Sequence, residues 1–361
     1  VEAIDALFQA SHEREAYAKG TATRILNFLR DLEVDTAAKL AARIERLSER
    51  DKANFVRNRT RGQYSTERLE RLLDSIRETS IEWRRLTEEN IGLSAKEVAA
   101  SELALQTKAL EIAGVIGEGI SIQAAVSAAY AQPLLARPLR EYFKDQQASV
   151  RRAITDSLRR SFVAGETVDQ AVKSLIGTKA LNYTDGDLRK NRNGVRMLVR
   201  TGLNHISNVT TRETYKALGV THVIFIGVMD SRQSTICAGL SGRRLDLNNP
   251  NEPFPLRHPN CRSTIVPDIE GLSDTTRPAV GANGVTQIPA DLTYKEFFDR
   301  QPVSWQRDQL TALQYRLYRE GNLEFSQFSD VKFTRELTDG ELEIRYSEIL
   351  GRLNGADRQA A

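Results

Sequence analysis

The residues best equipped for chemistry fall between Asp230 and Asp268, in D-S-R-Q-S-T-I-C-A-G-L-S-G-R-R and, after a proline-bounded loop, R-H-P-N-C-R-S-T-I-V-P-D. The whole chain has 2 cysteines and 4 histidines. Both cysteines, Cys237 and Cys261, lie in this window together with His258. The spacing His258-x-x-Cys261 puts two borderline-soft donors on one tight turn, and Cys237 with Asp230 can complete a four-coordinate set for one zinc ion. Plainer roles fit the same residues. His258 can hydrogen-bond its own loop, and the thiols can be buried as small apolar groups or pair with each other. Structural zinc sites usually supply two close-spaced ligand pairs and only one is present, so these readings stand side by side. A Cys261 nucleophile with His258 as its base would use the same atoms, but their offset on a loop suits chelation better than proton transfer. No HExxH, no GxSxG and no phosphate-cradling glycine loop occurs, so the chain is expected not to be an enzyme.

A second constellation is basic. Arg189, Arg192, Arg196 and Arg200 recur every three or four residues, a spacing that would line one face of a helix with positive charge. Such a face could lie on the phosphates of double-stranded DNA or against an acidic protein, and solvated charge is the bland account of it.

The elements that must position these groups read mainly as helix. From residue 1 to about 110, apolar residues three and four apart (Ile25, Leu29, Leu32; Leu40, Ile44, Leu47; Leu69, Leu72, Leu73, Ile76) alternate with charges of both signs, and no proline precedes Pro133. That pattern predicts long amphipathic helices in a bundle or coiled hairpin. Residues 112–136 carry one charge, Glu118, and are long enough for a membrane span. Their glycines and their Ala and Ser content favour a core or subunit interface instead, and a membrane is not expected as a partner. After Pro138 helices resume, with Gly165 ending one and Thr167 capping the next. A long helix over 191–218 is closed by Gly219, and VTHVIFIGVMD reads as a buried strand. In the tail Trp305, Leu310, Leu313, Leu317 and Tyr318 approximate helical spacing, and Phe325, Phe328 and Phe333 follow as core or docking aromatics.

Composition bounds the class. With 361 residues, a net charge of +3, 27% charged and 40% hydrophobic residues, the chain reads as globular with two or three domains. Two cysteines exclude a disulfide-stapled scaffold and a multi-zinc array. The charge-laced opening VEAIDALFQASHEREAYAKG lacks the apolar core of a signal peptide, so no secretory route is expected.

Taken in order, R-T-G-L-N-H-I-S-N-V, T-Y-K-A-L-G-V, a strand, D-S-R-Q-S-T-I-C-A-G-L-S-G and H-P-N-C-R resemble the phage head morphogenesis family, the Mu protein F-like minor head proteins. The similarity covers roughly residues 134–340, from A-R-P-L-R-E-Y-F to Y-R-L-Y-R-E-G-N-L-E-F-S-Q-F. The motif positions carried over are Asp230, Arg232, Cys237, Gly242, His258, Pro259, Asn260, Cys261 and Arg262. Ser263 stands where many relatives have a further cysteine, which removes a fourth soft ligand. The resemblance implies a virion protein, found in the phage head and in the host cytoplasm during assembly. It would be a low-copy structural component bound to the portal protein, and to major capsid or other head proteins, acting in head assembly, DNA packaging or genome ejection. The alternative is a metal-dependent protein that binds or processes nucleic acid. The expected architecture is mainly α with a small α+β module. It comprises an N-terminal helical region (1–133), a Mu F-like head morphogenesis domain (134–270) with central helices packed on a short β-containing motif, and a C-terminal extension with helix (271–361).

Overall fold

A computed structural model of the chain describes residues 2–269 and 275–360, with side chains described between Glu13 and Asn354. The fold is mainly α with a small antiparallel β component. In chain order it runs α1 (Glu2–Ile44), α2 (Glu49–Val56), α3 (Glu67–Ile112), α4 (Ile122–Ala131), α5 (Leu139–Ala164), α6 (Val168–Ile176) and α7 (Arg189–Ala217). There follow β1 (His222–Ile226), α8 (Thr235–Leu240), β2 (Arg244–Asp246), β3 (Thr264–Pro267), β4 (Thr276–Gly281) and β5 (Gly284–Pro289). The tail holds α9 (Tyr294–Asp299), α10 (Val303–Arg307), α11 (Ala312–Arg319), α12 (Asp339–Arg345) and α13 (Ser347–Ala360).

Two compact units result, residues 16–95 with 136–203, and residues 1–15 with 96–135 and 204–361. They cut across the division 1–133, 134–270, 271–361, because α1, α3 and α7 each contribute residues to both units.

The first unit is helical. Its core takes Ile25, Leu29 and Leu40 from α1 and Leu69, Leu72, Ile76 and Trp83 from α3, all buried, which is the apolar stripe the spacing predicts. Leu139, Phe143, Val150, Ile154 and Leu158 form the matching stripe of α5. Gly165 ends α5 at φ 66°, a left-handed position that glycine adopts without a Cβ clash. Thr167 then caps α6 in a reciprocal box with Gln170, satisfying two amides at the new helix start.

The second unit holds the sheet. β1 lies in the centre, antiparallel to β2 and β3, in the order β2-β1-β3. Val223 pairs with Leu245 on one side and Pro267 on the other. Gly219, at φ 78°, ends α7 and turns the chain into β1. A separate hairpin pairs β4 with β5. The tail does not continue as one helix: Thr311 opens α11 with its own capping box to Gln314, so the apolar series 305–318 is split between α10 and α11. Phe325 and Phe328 are buried against Tyr294, Phe298 and Tyr318, whereas Phe333 packs half-buried against the sheet cluster.

The apolar segment 112–136 is interrupted, since α3 stops at Ile112 and α4 starts at Ile122. No helix among the described residues is long and apolar enough to cross a membrane. Ala125 and Ala129 reach the core, but Ile112, Ile116 and Ile122 are exposed.

Candidate metal centre

Local chemistry shapes each arm of the site. Ser234 caps α8, its hydroxyl oxygen accepting the Cys237 amide at 3.2 Å, and this turns Cys237 into the apolar cluster of Phe225, Leu240 and Ile265. On the other arm the Cys261 amide donates to the His258 carbonyl at 3.1 Å. Asn260 supplies the left-handed residue of that turn, φ 57°, a conformation asparagine tolerates better than most side chains. The turn presents His258 and Cys261 to the same point. β3 starts just beyond, where its pairing with β1 fixes the loop's end.

Cys237, His258 and Cys261 converge, with their ligand atoms all within 4.8 Å of one another. Cys237 Sγ stands 3.2 Å from His258 Nε2 and 3.6 Å from Cys261 Sγ. Tetrahedral zinc with ordinary bond lengths would space two sulfurs by about 3.8 Å, and sulfur and nitrogen by about 3.5 Å. Both cysteines are free. The three side chains could therefore hold a metal ion.

The surroundings prepare His258 for that role. Its Nδ1 donates to the Pro259 carbonyl at 2.9 Å, and the Ser234 hydroxyl lies 2.8 Å from Nε2. A backbone carbonyl can only accept, so the network assigns the neutral ring's proton to Nδ1 and leaves Nε2 as the acceptor, approached by the Ser234 hydroxyl and the Cys237 sulfur. The hydrogen bond from Cys237 holds the Cys261 thiol well below its usual range, against the effect of burial. The same bond, with burial, pushes Cys237 up. The Ser263 hydroxyl, wholly buried, opposes that rise without overcoming it. The position after the Cys-x step thus places an oxygen beside the cluster where a thiol would be a stronger donor.

Asp230 is not part of the group. Arg262 takes both of its carboxylate oxygens, at 2.5 and 2.7 Å, and the Arg232 amide adds a bond of 2.9 Å. An aspartate whose lone pairs are engaged by a fixed guanidinium fork is a poor metal ligand, so the expected four-residue set reduces to three.

The arginine stripe is corrected as well. Arg189 and Arg196 are exposed, but Arg192 is buried, where it pairs with Glu33 and donates to the Tyr183 carbonyl. Leu188, Val195 and Val199 are buried on the same side, so position 192 belongs to the inward face of α7. Arg200 is half-buried. No continuous cationic face results.

Residues that motif reading passed over secure the site from α7. Asn204 Nδ2 donates to the Cys261 carbonyl at 2.5 Å, and Asn208 Nδ2 to the Ser263 carbonyl at 3.3 Å. Two asparagines four apart in R-T-G-L-N-H-I-S-N-V were the available signal, since that spacing aligns them on one helix face. Next to them Ser207 and Arg14 both donate to the buried Glu102 carboxylate, at 2.7 and 2.9 Å.

Fold and site together define a mainly helical protein carrying a compact β-containing module with a buried Cys-His-Cys cluster able to hold a metal. No family model matches the chain, and neither does any curated protein or any solved structure.

Proposed function

We propose that this chain is a structural minor head protein of a tailed bacteriophage, similar to the Mu protein F-like proteins, and that a single zinc ion braces its motif module. The observation that carries the reading is the ordered motif series ending in H-P-N-C-R, whose two cysteines and histidine meet in one cluster. Burial supports a structural role for the metal. Cys237 and Cys261 are 0% and 3% exposed, and a closed, thiol-rich site suits bracing better than turnover. Cys261 as a nucleophile would have no access to substrate at that burial. Long helices give the module a mounting suited to a portal ring, and the head lumen would be its place in the virion.

The experiment is purification of phage heads from infected cells, followed by affinity capture of the portal protein. The reading requires this chain to co-purify at a few copies per portal. Its recovery only in the free, non-particulate fraction would sink it. Nuclease assays with and without divalent metal address the enzymatic alternative, which requires His258→Ala to abolish a metal-dependent activity.

A further inference from the structure

Charge is unevenly shared along the helical unit. Residues 43–61 hold 7 Lys or Arg against 3 Asp or Glu, an excess larger than that of the entire chain. Elsewhere in the unit several exposed cations pair along their own helix: Lys39 with Asp35, Arg71 with Glu67, Arg77 with Asp74, Arg85 with Glu82 and Glu89, Lys173 with Asp169. In the segment 43–61 one such pair forms, between Lys52 and Glu49, and most of the arginines stand outside it. Its Asp51 is buried and accepts hydrogen bonds from Ser48 and Thr66, and Glu49 is taken by Lys52 at 2.8 Å. Arg46, Arg50, Arg57, Arg59 and Arg61 are exposed, and among the described residues none of them has an ion-pair partner.

These arginines stand on a fixed backbone. Asn58 takes the left-handed φ of 57°, and the Arg59 amide returns to the Asn54 carbonyl at 2.8 Å. From α5, Arg159 donates to Asn58 Oδ1 at 3.0 Å. Beneath the loop the buried Phe55 meets Phe162 edge-on at 5.6 Å. Arg59 lies over the Tyr64 ring, which Asn54 holds by its backbone carbonyl. Arg50 in the first turn of α2 and Arg57 at its C-terminal cap lie about two helical turns apart.

We propose that this connection between α1 and α3 is a nucleic-acid contact surface, with Arg46, Arg50, Arg57, Arg59 and Arg61 on the phosphodiester backbone. A guanidinium fork matches phosphate bidentately, and a rigid display lowers the ordering cost. The surface does not fit a protein partner equally well. Protein interfaces are centred on buried apolar anchors, and no large hydrophobic residue is exposed between positions 43 and 66. Sequence-independent binding to a polyanion needs no such anchor. The inference rests on the helical unit alone and stands whether or not the chain is a minor head protein.

The test uses the full chain and a fluorescent DNA duplex of about 30 base pairs, titrated by anisotropy between about 50 and 200 mM salt. Arg57→Gln/Arg59→Gln/Arg61→Gln is compared with a paired-arginine control, Arg71→Gln/Arg77→Gln/Arg85→Gln. The loop variant should bind roughly tenfold or more weakly and lose about 2.7 from the logarithmic salt slope, with the control close to wild type. A Lys triple at the same loop positions should retain most of the binding and guards against a folding effect. Wild-type affinity in the loop variant, or equal loss in both triples, overturns the proposal. So does tighter binding to phosphatidylserine-rich vesicles than to DNA, which would assign the surface to a membrane.

Discussion

The Cys237 and Cys261 sulfurs lie 3.6 Å apart although 24 residues separate them in sequence. That distance is far beyond a disulfide and close to the separation of two thiolates on one tetrahedral metal. Purified protein is therefore expected to carry about one zinc per chain. Cys261→Ala and His258→Ala should each lose it, and a chelator should lower Tm of the wild type by more than about 5 °C while leaving both variants unmoved. Elemental analysis and thermal melts check this, and a zinc-free wild type from zinc-supplemented cells is the contrary result.

Asp230 and Arg262 make a different prediction. Their side chains are 9% and 12% exposed, so Asp230→Asn leaves a buried guanidinium without its countercharge and should cost about 3 kcal/mol. Zinc content should be unchanged, because Asp230 lies outside the ligand group. Burial alone would raise the Asp230 pKa, but the Arg262 hydrogen bonds and charge outweigh it and hold the group below its usual 3.8. The pair's contribution is thus present above the ordinary carboxylate range and is lost as pH falls through the depressed value. Urea unfolding of wild type and variant across the acid range measures it.

Glu33 titrates in the opposite sense. Burial raises its pKa from 4.5 to about 7, with Arg192 opposing, and one of its oxygens has no hydrogen-bond partner among the described residues. The folded state therefore holds the proton more tightly, and the stability this supplies is full below about 4.5 and lost as pH rises through about 7. The urea midpoint of wild type should fall relative to that of Glu33→Gln between about pH 5 and about pH 8. Parallel pH profiles would refute the assignment.

Gly239, in the motif A-G-L-S-G, tests the packing behind the cluster. A Cβ there would meet Ser326 N at 2.6 Å and Ser326 Cα at 2.7 Å, backbone atoms of the segment that covers α8. Gly239→Ala should destabilise by about 1–3 kcal/mol. Gly20, in the middle of α1, has nothing within 4 Å of such a Cβ, so Gly20→Ala should stabilise by about 1 kcal/mol instead. Thermal melts of the two variants should move in opposite directions.

The helices were legible because their signals are local. The stripes from Ile25 to Ile76, the stop at Gly165, the cap at Thr167 and the end at Gly219 depend on neighbours a turn or two away. The tail was less legible. The spacing from Trp305 to Tyr318 suits a helix, but the Thr311 capping box restarts the backbone inside it, and the aromatic rings pack accordingly.

The same distinction runs through the site. Residue type and short-range spacing were enough to mark Cys237, His258 and Cys261, since soft donors are scarce in this chain and one turn joins two of them. Whether a charged side chain is a ligand, a solvated cation or half of a buried pair depends on a partner remote in sequence. Arg262 lies 32 residues from Asp230, and Glu33 lies 159 from Arg192. Electrostatic pairing acts through space and leaves no period in the sequence, so only the tertiary structure withdrew Asp230 from the metal and Arg192 from the surface. Among the described residues it also left Arg46, Arg50, Arg57, Arg59 and Arg61 without ion-pair partners, with Asp51 in a cap and Glu49 on Lys52.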